Sequence, residues 1–444
     1  DWNKHGKNKL WLYNLAYFDY LNQKNITKEE GLFLINSFIK SYTILKDAKE
    51  PYPSSLRIIN LIKFISKHNI KTPLILELIR EDANRLSKNL EFHLLGNHLL
   101  ENGFALWFAS KLFNDERYLK ISNKVLKNQL NEQILNDGGH FELSPMYHVL
   151  ILYRILDCIN LNKLNPITEN DELSDLFKFK ASKMVSWLKK MTFKNGSFPL
   201  FNDSANGVNP NANKILEYAK TLNIKNINIS LSDSGYRVFK NDKYQFIADV
   251  GEIGAVYQPA HAHADTFNFE LHKEDLPIIV DRGISTYESG EKRLEERSTK
   301  SHNTVVINQV NSSQVWSSFR VAKRANVNVI KDNKYELEAS HNGYSNIGIT
   351  HNRYWIFEEN KLMIYDNLNK PLLAKSYLHF HPSVKIHLKN SVIKINENIT
   401  IFFENLIEIK RLNYNYNSEF NNPKIAQKVE LTFRKDLKTI INID

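Results

Sequence analysis

The run Tyr244-Gln245-Phe246-Ile247-Ala248-Asp249-Val250 decides the fold class, because it opens the β-type part of a chain whose first half is helical. Before it, from Lys28 to about Leu222, apolar residues recur at spacings of three and four, which is typical of amphipathic helices. After it, short β-rich runs such as Lys361 to Tyr365 are separated by turn residues. The sequence therefore predicts a helical domain over residues 1–225 and an antiparallel β domain over residues 226–444, a multidomain α + β protein. Successive helical hairpins suit either an open solenoid or a toroid.

The overall composition is that of a globular protein with a basic surplus. The chain has 444 residues, of which 42% are hydrophobic and 24% charged, and this excludes disorder as the main state. Lys and Arg number 59 against 49 Asp and Glu, a formal charge of +10 that favours nucleic acid, anionic lipid or acidic polysaccharide as partner. No apolar run approaches the roughly 20 residues of a membrane span. The basic residues are dispersed and form no nucleic-acid motif, so a nucleic-acid partner is not expected.

The first group of residues with chemical capability lies at the start of an apolar helix, in the segment Gly96 to Asn102. Asn97, His98 and Glu101 fall within one helical turn, so an amide donor and an imidazole beside a carboxylate can share a face. Such a set suits the binding of a substrate carboxylate. Asn97 as a simple helix cap is the alternative.

The second group is the segment Asp137 to His148, which contains two glycines followed by Ser144-Pro145. Proline at the first helical position predicts that Tyr147 and His148 lie in a helix first turn, where the helix dipole favours anions. Tyr147 is a candidate proton donor or acceptor, and a core tyrosine with a satisfied hydroxyl is the alternative.

The third group combines a strand entry with two later segments. His261 and His263 are two residues apart and so face one side of an extended chain. Together with Asp281 and His302 they offer imidazoles and a carboxylate, the ligand types that zinc prefers. A hydrogen-bonded polar cluster is the alternative.

The fourth group is the basic and aromatic stretch Tyr287 to Arg324. Arg297 and Arg320 can pair with carboxylates or sulfates in forked geometry, and Trp316 can stack on a sugar face.

Taken in this order, the segments resemble the heparinase II/III family of polysaccharide lyases. The matching runs are Asn97 to Asn102, Gly138 to His148, His261 to Glu270, Asp281 to Tyr287, Arg297 to Val306 and Trp316 to Arg324. The resemblance implies an N-terminal incomplete α/α toroid followed by a C-terminal antiparallel β-sandwich. It also implies β-elimination at a uronic acid in an acidic polysaccharide or oligosaccharide.

The resemblance also implies roles for individual residues. Asn97, with His98, would neutralise the uronate carboxylate, and Tyr147 and His261 would share the proton transfers. Glu101 would orient His98. A structural zinc near the cleft would be held by His263, Asp281 and His302, and no organic cofactor is expected. Further substrate contacts are expected at His148, Tyr287, Arg297, Trp316 and Arg320.

Two other functions stay open at the level of sequence. The first is a glycoside hydrolase or glycan-modifying enzyme on the same scaffold, with Glu101, Glu142, Asp203 and Asp265 as candidate carboxylates. The second is a non-catalytic glycan-binding protein that uses Arg297, Trp316 and Arg320. The polymer is expected to be a bacterial surface polysaccharide, such as a capsule or O-antigen, or a glycosaminoglycan-like chain.

Four further features complete the sequence-based expectations. The lone cysteine, Cys158, is expected to be a buried structural thiol, and Asp203 to be structural or to line a cleft. The Asn-rich stretch Asn413 to Asn422 is expected to form solvated turns, with glycan contact as the alternative. Because the chain opens on Asp1 rather than Met, we expect that a segment such as a signal peptide has been removed upstream. The periplasm or cell envelope is the favoured location and the cytoplasm the alternative.

Overall fold

The structure is a computed structural model that describes residues 2–3, 6, 9–165 and 172–444. Asp1, on which the expectation of an upstream segment rests, lies outside these residues. Within them the chain forms nine α-helices before its first strand and a tenth later. The helices are α1 Lys9–Tyr17, α2 Lys28–Ser41, α3 Pro51–Lys67, α4 Pro73–Leu86, α5 Gly96–Phe113, α6 Glu116–Gln133, α7 Pro145–Leu164, α8 Glu172–Met191, α9 Ala212–Thr221 and α10 Glu291–Glu296.

The helices begin and pack for identifiable reasons. Helix α2 starts with a capping box formed by Thr27 and Glu30, and α3 and α4 each start with proline in the first turn. Helix α5 is buried on nearly all sides. Between α3 and α4, the fully buried Arg57 guanidinium donates to both carboxylate oxygens of Asp82, at 2.8 and 2.9 Å. A buried charge pair of this geometry fixes the relative position of the two helices.

From Tyr236 onward the chain is dominated by antiparallel strands. The strands are β1 Tyr236–Lys240, β2 Tyr244–Asp249, β3 Phe269–Lys273, β4 Leu276–Ile279, β5 Val305–Ile307, β6 Val315–Trp316, β7 Arg320–Val321, β8 Val327–Asp332, β9 Glu336–His341, β10 His351–Phe357, β11 Lys361–Leu368, β12 Leu373–His379, β13 Ile386–Lys389, β14 Val392–Ile395, β15 Ile399–Tyr416 and β16 Lys424–Ile443.

These strands form two packed sheets and one short hairpin. Strands β1 to β4 make a four-stranded sheet, and the larger sheet runs in the order β13-β14-β15-β16-β11-β10-β9-β8, with β12 joining β16 to β5. Strand β2, the run that opened the sequence argument, is buried at every position. Its Phe246 shares one apolar core with Trp355 of β10 and Leu431 of β16. The two sheets therefore pack face to face as a sandwich.

The chain divides into two compact units, each of which combines two stretches of the chain. The first unit comprises residues 1–133 and 154–180, and the second comprises residues 134–153 and 181–444. Secondary structure changes from helix to strand between Thr221 and Tyr236. A segment before that point is linked to the residues that lead into β1, since the Asp137 carboxylate accepts hydrogen bonds from the backbone and hydroxyl of Ser234. The boundary at residue 225 stays a prediction.

Two features of the helical segments bear on the sequence-based expectations. Cys158 is fully buried, and burial raises the pKa of its thiol well above the ordinary value, as expected of a structural cysteine. In the part of the chain that the structure describes, no helix combines the length and apolarity needed to cross a membrane.

Candidate active site

Tyr147 is placed by the turn that precedes α7. Gly138 has a positive φ of 88°, and a Cβ there would lie 2.4 Å from the backbone oxygen of Lys183, so the tight turn requires glycine. The Ser144 hydroxyl then accepts a hydrogen bond from the backbone N–H of Tyr147 and donates one to the carbonyl of Asp203, at 2.7 Å. The predicted start at Pro145 is confirmed. Tyr147 consequently projects from the first turn of α7.

Asp203 is the centre of the cluster in the second unit. One carboxylate oxygen lies 2.9 Å from Nδ1 of His261, and the other lies 2.9 Å from Nε2 of His263. The Arg293 guanidinium donates to both oxygens, at 2.5 and 2.7 Å. Burial alone would raise the pKa of Asp203, but the Arg293 charge and the two imidazoles hold it well below the usual range. Asp203 is therefore a buried carboxylate anion that fixes both rings.

Tyr147 and His261 lie against each other. Their rings stack with centroids 3.9 Å apart and planes 26° apart. The Tyr147 hydroxyl is 3.3 Å from that of Tyr287, whose ring also lies 5.1 Å from the Arg293 guanidinium. Burial, together with the neighbouring Tyr287 hydroxyl, raises the pKa of Tyr147 well above its ordinary value. The phenol is thus protonated at neutral pH and has a proton to donate.

Glu142 adds a second carboxylate beside His261. Its Oε2 lies 3.7 Å from Nε2 of His261 and 4.0 Å from Nδ1 of His140. Glu142 and His140 are both buried, and burial lowers the pKa of His140 to about 4, so that this second imidazole is neutral. His261 is therefore flanked by one carboxylate on each ring nitrogen.

In the first unit, His98 and Asn97 lie in the first turn of α5. Nδ1 of His98 is 3.1 Å from Oε1 of Glu91, and its ring lies over Tyr52 with centroids 4.3 Å apart. The Asn102 amide donates to the other Glu91 oxygen at 2.8 Å. Asn97 is not the helix cap, because the N-cap position belongs to Leu95. A polar group of Glu91, Asn97 and His98 is therefore built at this helix start.

Comparison with known proteins identifies the family from matches over both halves of the chain. Residues 59–229 match the model described as heparinase II/III N-terminus, and residues 225–444 match the model described as heparinase II/III-like, C-terminal. The chain belongs to the heparinase II/III family.

Curated relatives of this family chain are distant and longer. It is 24% identical over 253 residues to a heparin-sulfate lyase of Bacteroides stercoris, an alignment that covers 50% of this chain and 37% of the relative. It is also 24% identical over 262 residues to a heparin-sulfate lyase of Bacteroides thetaiotaomicron, covering 49% and 37%. The aligned region thus spans well under half the length of these relatives.

Solved structures match the whole chain and show its fold. A heparinase III crystal structure superposes with a TM-score of 0.77 at 16% identity, covering 100% of this chain and 79% of that one. The heparan sulfate lyase of Pedobacter heparinus superposes with a TM-score of 0.66 at 16% identity, covering 100% and 78%. The predicted fold class, an α/α toroid part followed by an antiparallel β-sandwich part, is confirmed.

Several predicted site residues of this heparinase II/III chain have other partners than expected. Glu101 is fully buried and paired with the Arg154 guanidinium at 2.9 Å, so Glu91, not Glu101, is the carboxylate beside His98. His148 is buried, stacked on Trp187, and hydrogen-bonded to the Met184 carbonyl at 3.0 Å. Glu101, expected to orient His98, and His148, expected to contact substrate, therefore have packing partners instead. A helical spacing of three or four residues predicts a shared face, but it does not predict which side chains stay exposed.

Arg297, another predicted substrate contact, forms hydrogen bonds with backbone carbonyl groups. The side chain is fully buried and its guanidinium donates to the carbonyls of Ala262, Ser317 and Arg320, at 2.9 to 3.2 Å. It anchors the β6–β7 hairpin and has no group left for an anion. Trp316 and Arg320 face each other across that hairpin, and Trp316 is 52% exposed, so both keep accessible side chains.

Two of the three predicted zinc ligands, Asp281 and His302, are hydrogen-bonded to each other, and the third, His263, lies beside them. His302 Nδ1 is 2.6 Å from Asp281 Oδ2, and the His263 and His302 rings are 5.2 Å apart. His263 Nδ1 and His302 Nε2 are buried and lack hydrogen-bond partners, which is donor chemistry that fits zinc. Across the described residues, however, no three His, Cys, Asp or Glu side chains are arranged as ligands of one ion. Zinc at these three residues stays a prediction.

Residues that the sequence argument undervalued are Asp203, Arg293 and Glu91. Each is a charged residue that becomes almost wholly buried, which is uncommon unless the charge is paired. Their partners lie 7 to 90 positions away in the chain, as the pair Arg293–Asp203 shows. The one local signal was Asp203 within a short polar run between apolar segments, Asn202-Asp203-Ser204.

Proposed function

We propose that this chain is a polysaccharide lyase that cleaves an acidic, uronate-containing polymer by β-elimination. The observation that carries the proposal is the stacked Tyr147–His261 pair, with Asp203 holding Nδ1 of the imidazole. Membership of the heparinase II/III family and the similarity to two heparin-sulfate lyases support the same reaction class.

The proposed reaction follows from which atom of the Tyr147–His261 pair can accept a proton and which can donate one. Because His261 Nδ1 faces Asp203, Nε2 is the atom that can remove the proton from carbon 5 of the uronate. The electron pair of that C–H bond forms the double bond between carbons 4 and 5, and the bond from carbon 4 to the glycosidic oxygen breaks. Tyr147, protonated at neutral pH, then donates its proton to the leaving oxygen. Tyr287, hydrogen-bonded to Tyr147, is placed to return a proton to it.

The uronate carboxylate must also be neutralised, since it makes carbon 5 poorly acidic. The resemblance assigns this step to Asn97 and His98. The position of Glu91 supports this assignment, because its carboxylate lies 3.1 Å from Nδ1 of His98 and so orients the imidazole.

We further propose that the natural polymer is a bacterial surface polysaccharide or a glycosaminoglycan-like chain. The basic surplus of the chain supports an acidic polymer. We keep zinc at His263, Asp281 and His302 as a proposal, supported by the two partnerless imidazole nitrogens. Metal analysis of the purified protein tests it, and a folded sample free of zinc would refute it.

The decisive experiment is a screen of uronate-containing polymers, including capsule and O-antigen preparations, followed by ultraviolet absorbance and product mass. We expect an unsaturated uronate product that has gained no water. Tyr147→Phe should lower kcat by about 100-fold or more. Tyr153→Phe, the same change farther along α7, is the matched control and should leave kcat unchanged.

Two results would contradict the proposal. Products heavier by one water would show hydrolysis, for which two of the four candidate carboxylates, Asp203 and Glu101, are poorly placed because each is paired with an arginine. Full activity of folded Tyr147→Phe would remove Tyr147 from the reaction.

A further inference from the structure

A second concave site lies on the β-sandwich, at the outer half of the β15–β16 hairpin. We call it the distal groove. Its volume is about 450 Å³, and its walls are that hairpin and the segment of residues 382–387 that leads into β13. The residues that matter for its chemistry are Lys385, His387, Arg411, Asn413, Ile425 and Gln427.

The groove carries unneutralised positive charge. Lys385 and Arg411 are exposed, and no Asp or Glu lines the groove. Among the described residues, neither Lys385 nor Arg411 has an ion-pair partner. On the opposite face of the same hairpin the cations are paired, as Lys410 with Glu408 and Lys438 with Glu404. Alternation along a strand separates the two faces. The groove thus holds two exposed cations, Lys385 and Arg411, without a carboxylate partner among the described residues.

Amide side chains and an apolar surface lie beside these cations. Asn413 and Gln427 are directly opposed across the β15–β16 pair, and no described residue hydrogen-bonds to either side chain. Asparagine is disfavoured inside strands, so packing does not explain Asn413. The neighbouring Ile425 is 75% exposed. The Asn-rich stretch expected to form turns is therefore a strand as far as Tyr416.

We propose that the distal groove is a second, non-catalytic binding site for acidic polysaccharide. Uronate carboxylates pair with Arg411 and Lys385, sugar hydroxyls bond to the Asn413 and Gln427 amides, and an apolar sugar face lies on Ile425. Charge complementarity selects an acidic glycan over a neutral partner. The inference rests on the proposed function only in taking the polymer as the ligand.

The groove belongs to the same hairpin that reaches the candidate active site. Phe420, in the turn between β15 and β16, lies 5.1 Å from the Tyr287 ring. Asn413 precedes it by seven positions, a separation of roughly 20 Å along an extended chain. A long polymer can therefore engage both places, whereas a short oligosaccharide cannot, and the groove raises the affinity for long chains.

The test measures binding, not cleavage. Fluorescently labelled heparan sulfate chains are titrated against the full chain in wild-type and Tyr147→Phe backgrounds, with and without Lys385→Ala/Arg411→Ala. We expect the double substitution to weaken binding about tenfold, which corresponds to about 1.4 kcal/mol. The matched control Lys243→Ala/Lys334→Ala removes two exposed lysines elsewhere on the β-sandwich and should have no such effect.

A second variant separates sugar recognition from bare charge. Asn413→Ala/Gln427→Ala should also weaken binding, with an unchanged dependence on salt, since no charge is lost. Unchanged binding in both double variants would overturn the proposal, as would an equal loss in the lysine control. A change of oligomeric state with unaltered glycan binding would assign the groove to a second copy of the chain.

These outcomes are independent of the elimination reaction. Weakened binding by the groove variants would support the groove even if no polymer in the activity screen is cleaved, a result that would refute the proposed function alone. Unaltered binding by groove variants of an active lyase would do the reverse.

Discussion

Asp203 is the residue that links the side chains of the C-terminal cluster to one another. It is fully buried and satisfies two imidazoles and one guanidinium at once. Because a buried arginine without a counter-charge is costly, the Asp203–Arg293 pair must be retained whole. The carboxylate thereby serves the fold and, through His261, the proposed chemistry.

The Asp203→Asn variant tests this double role. We expect it to lower the free energy of unfolding by about 3 kcal/mol, since Arg293 stays buried without its counter-charge. It should also lower kcat, because His261 loses the carboxylate that orients it. Chemical denaturation and kinetics measure the two effects.

The control is Glu404→Gln, which breaks an ion pair with Lys438 that is exposed to solvent. That change should leave stability almost unaltered. Equal stability of the Asp203 variant and wild type would show that Arg293 finds another partner.

At the scale of elements, the turn before α7 and the β6–β7 hairpin position the candidate site. The turn at Gly138 sets the direction of the first turn of α7, and Arg297 links the hairpin carbonyls of Ser317 and Arg320 to the carbonyl of Ala262. Phe319, in the hairpin loop, contacts both His261 and Tyr287, with ring centroids 6.1 and 5.4 Å away. Backbone geometry, not only side-chain identity, therefore sets the surroundings of the reacting pair.

Alanine substitutions at two glycines of similar φ separate the cost of backbone strain from the cost of steric crowding. Gly138→Ala should destabilise the protein by about 1 kcal/mol of left-handed strain plus about 1–3 kcal/mol of overpacking against Lys183. Gly207 has a φ of 82° but open space around it, so Gly207→Ala should show the strain alone. Denaturant midpoints of the two variants compare them. Equal losses would show that the turn yields to the added methyl group.

At the scale of the whole molecule, buried neutral histidines set the acid limit of stability. Burial lowers the pKa of His148, His263 and His272 to about 3, and lowers those of His140, His341, His351 and His379 as well. A histidine with a depressed folded pKa contributes stability that is present above about pH 6.5 and is lost as pH falls below it. Buried carboxyls with raised pKa, such as Glu270 at about 8, oppose this slope.

His148→Gln isolates one such contribution. As pH falls below about 6.5, the free energy of unfolding should fall less steeply in the variant than in wild type. The difference between the two slopes should be about 1.4 kcal/mol per pH unit. Glutamine keeps a donor for the Met184 carbonyl but takes up no proton in this range. Denaturation at pH 7, 6 and 5 measures both slopes. Parallel slopes would mean that His148 is already charged in the folded protein.

Local sequence patterns determined the order of helices and strands and the start of α7 at Pro145, because spacing and turn chemistry act over a few residues. They also placed Tyr147 and His261 in segments that resemble one family. Only the tertiary structure decided which charges pair. In the folded chain His98 contacts Glu91 and Arg154 pairs with Glu101, while Arg297 donates to backbone carbonyls. Burial makes such pairing compulsory, and the partners are chosen by chain segments that meet only after folding.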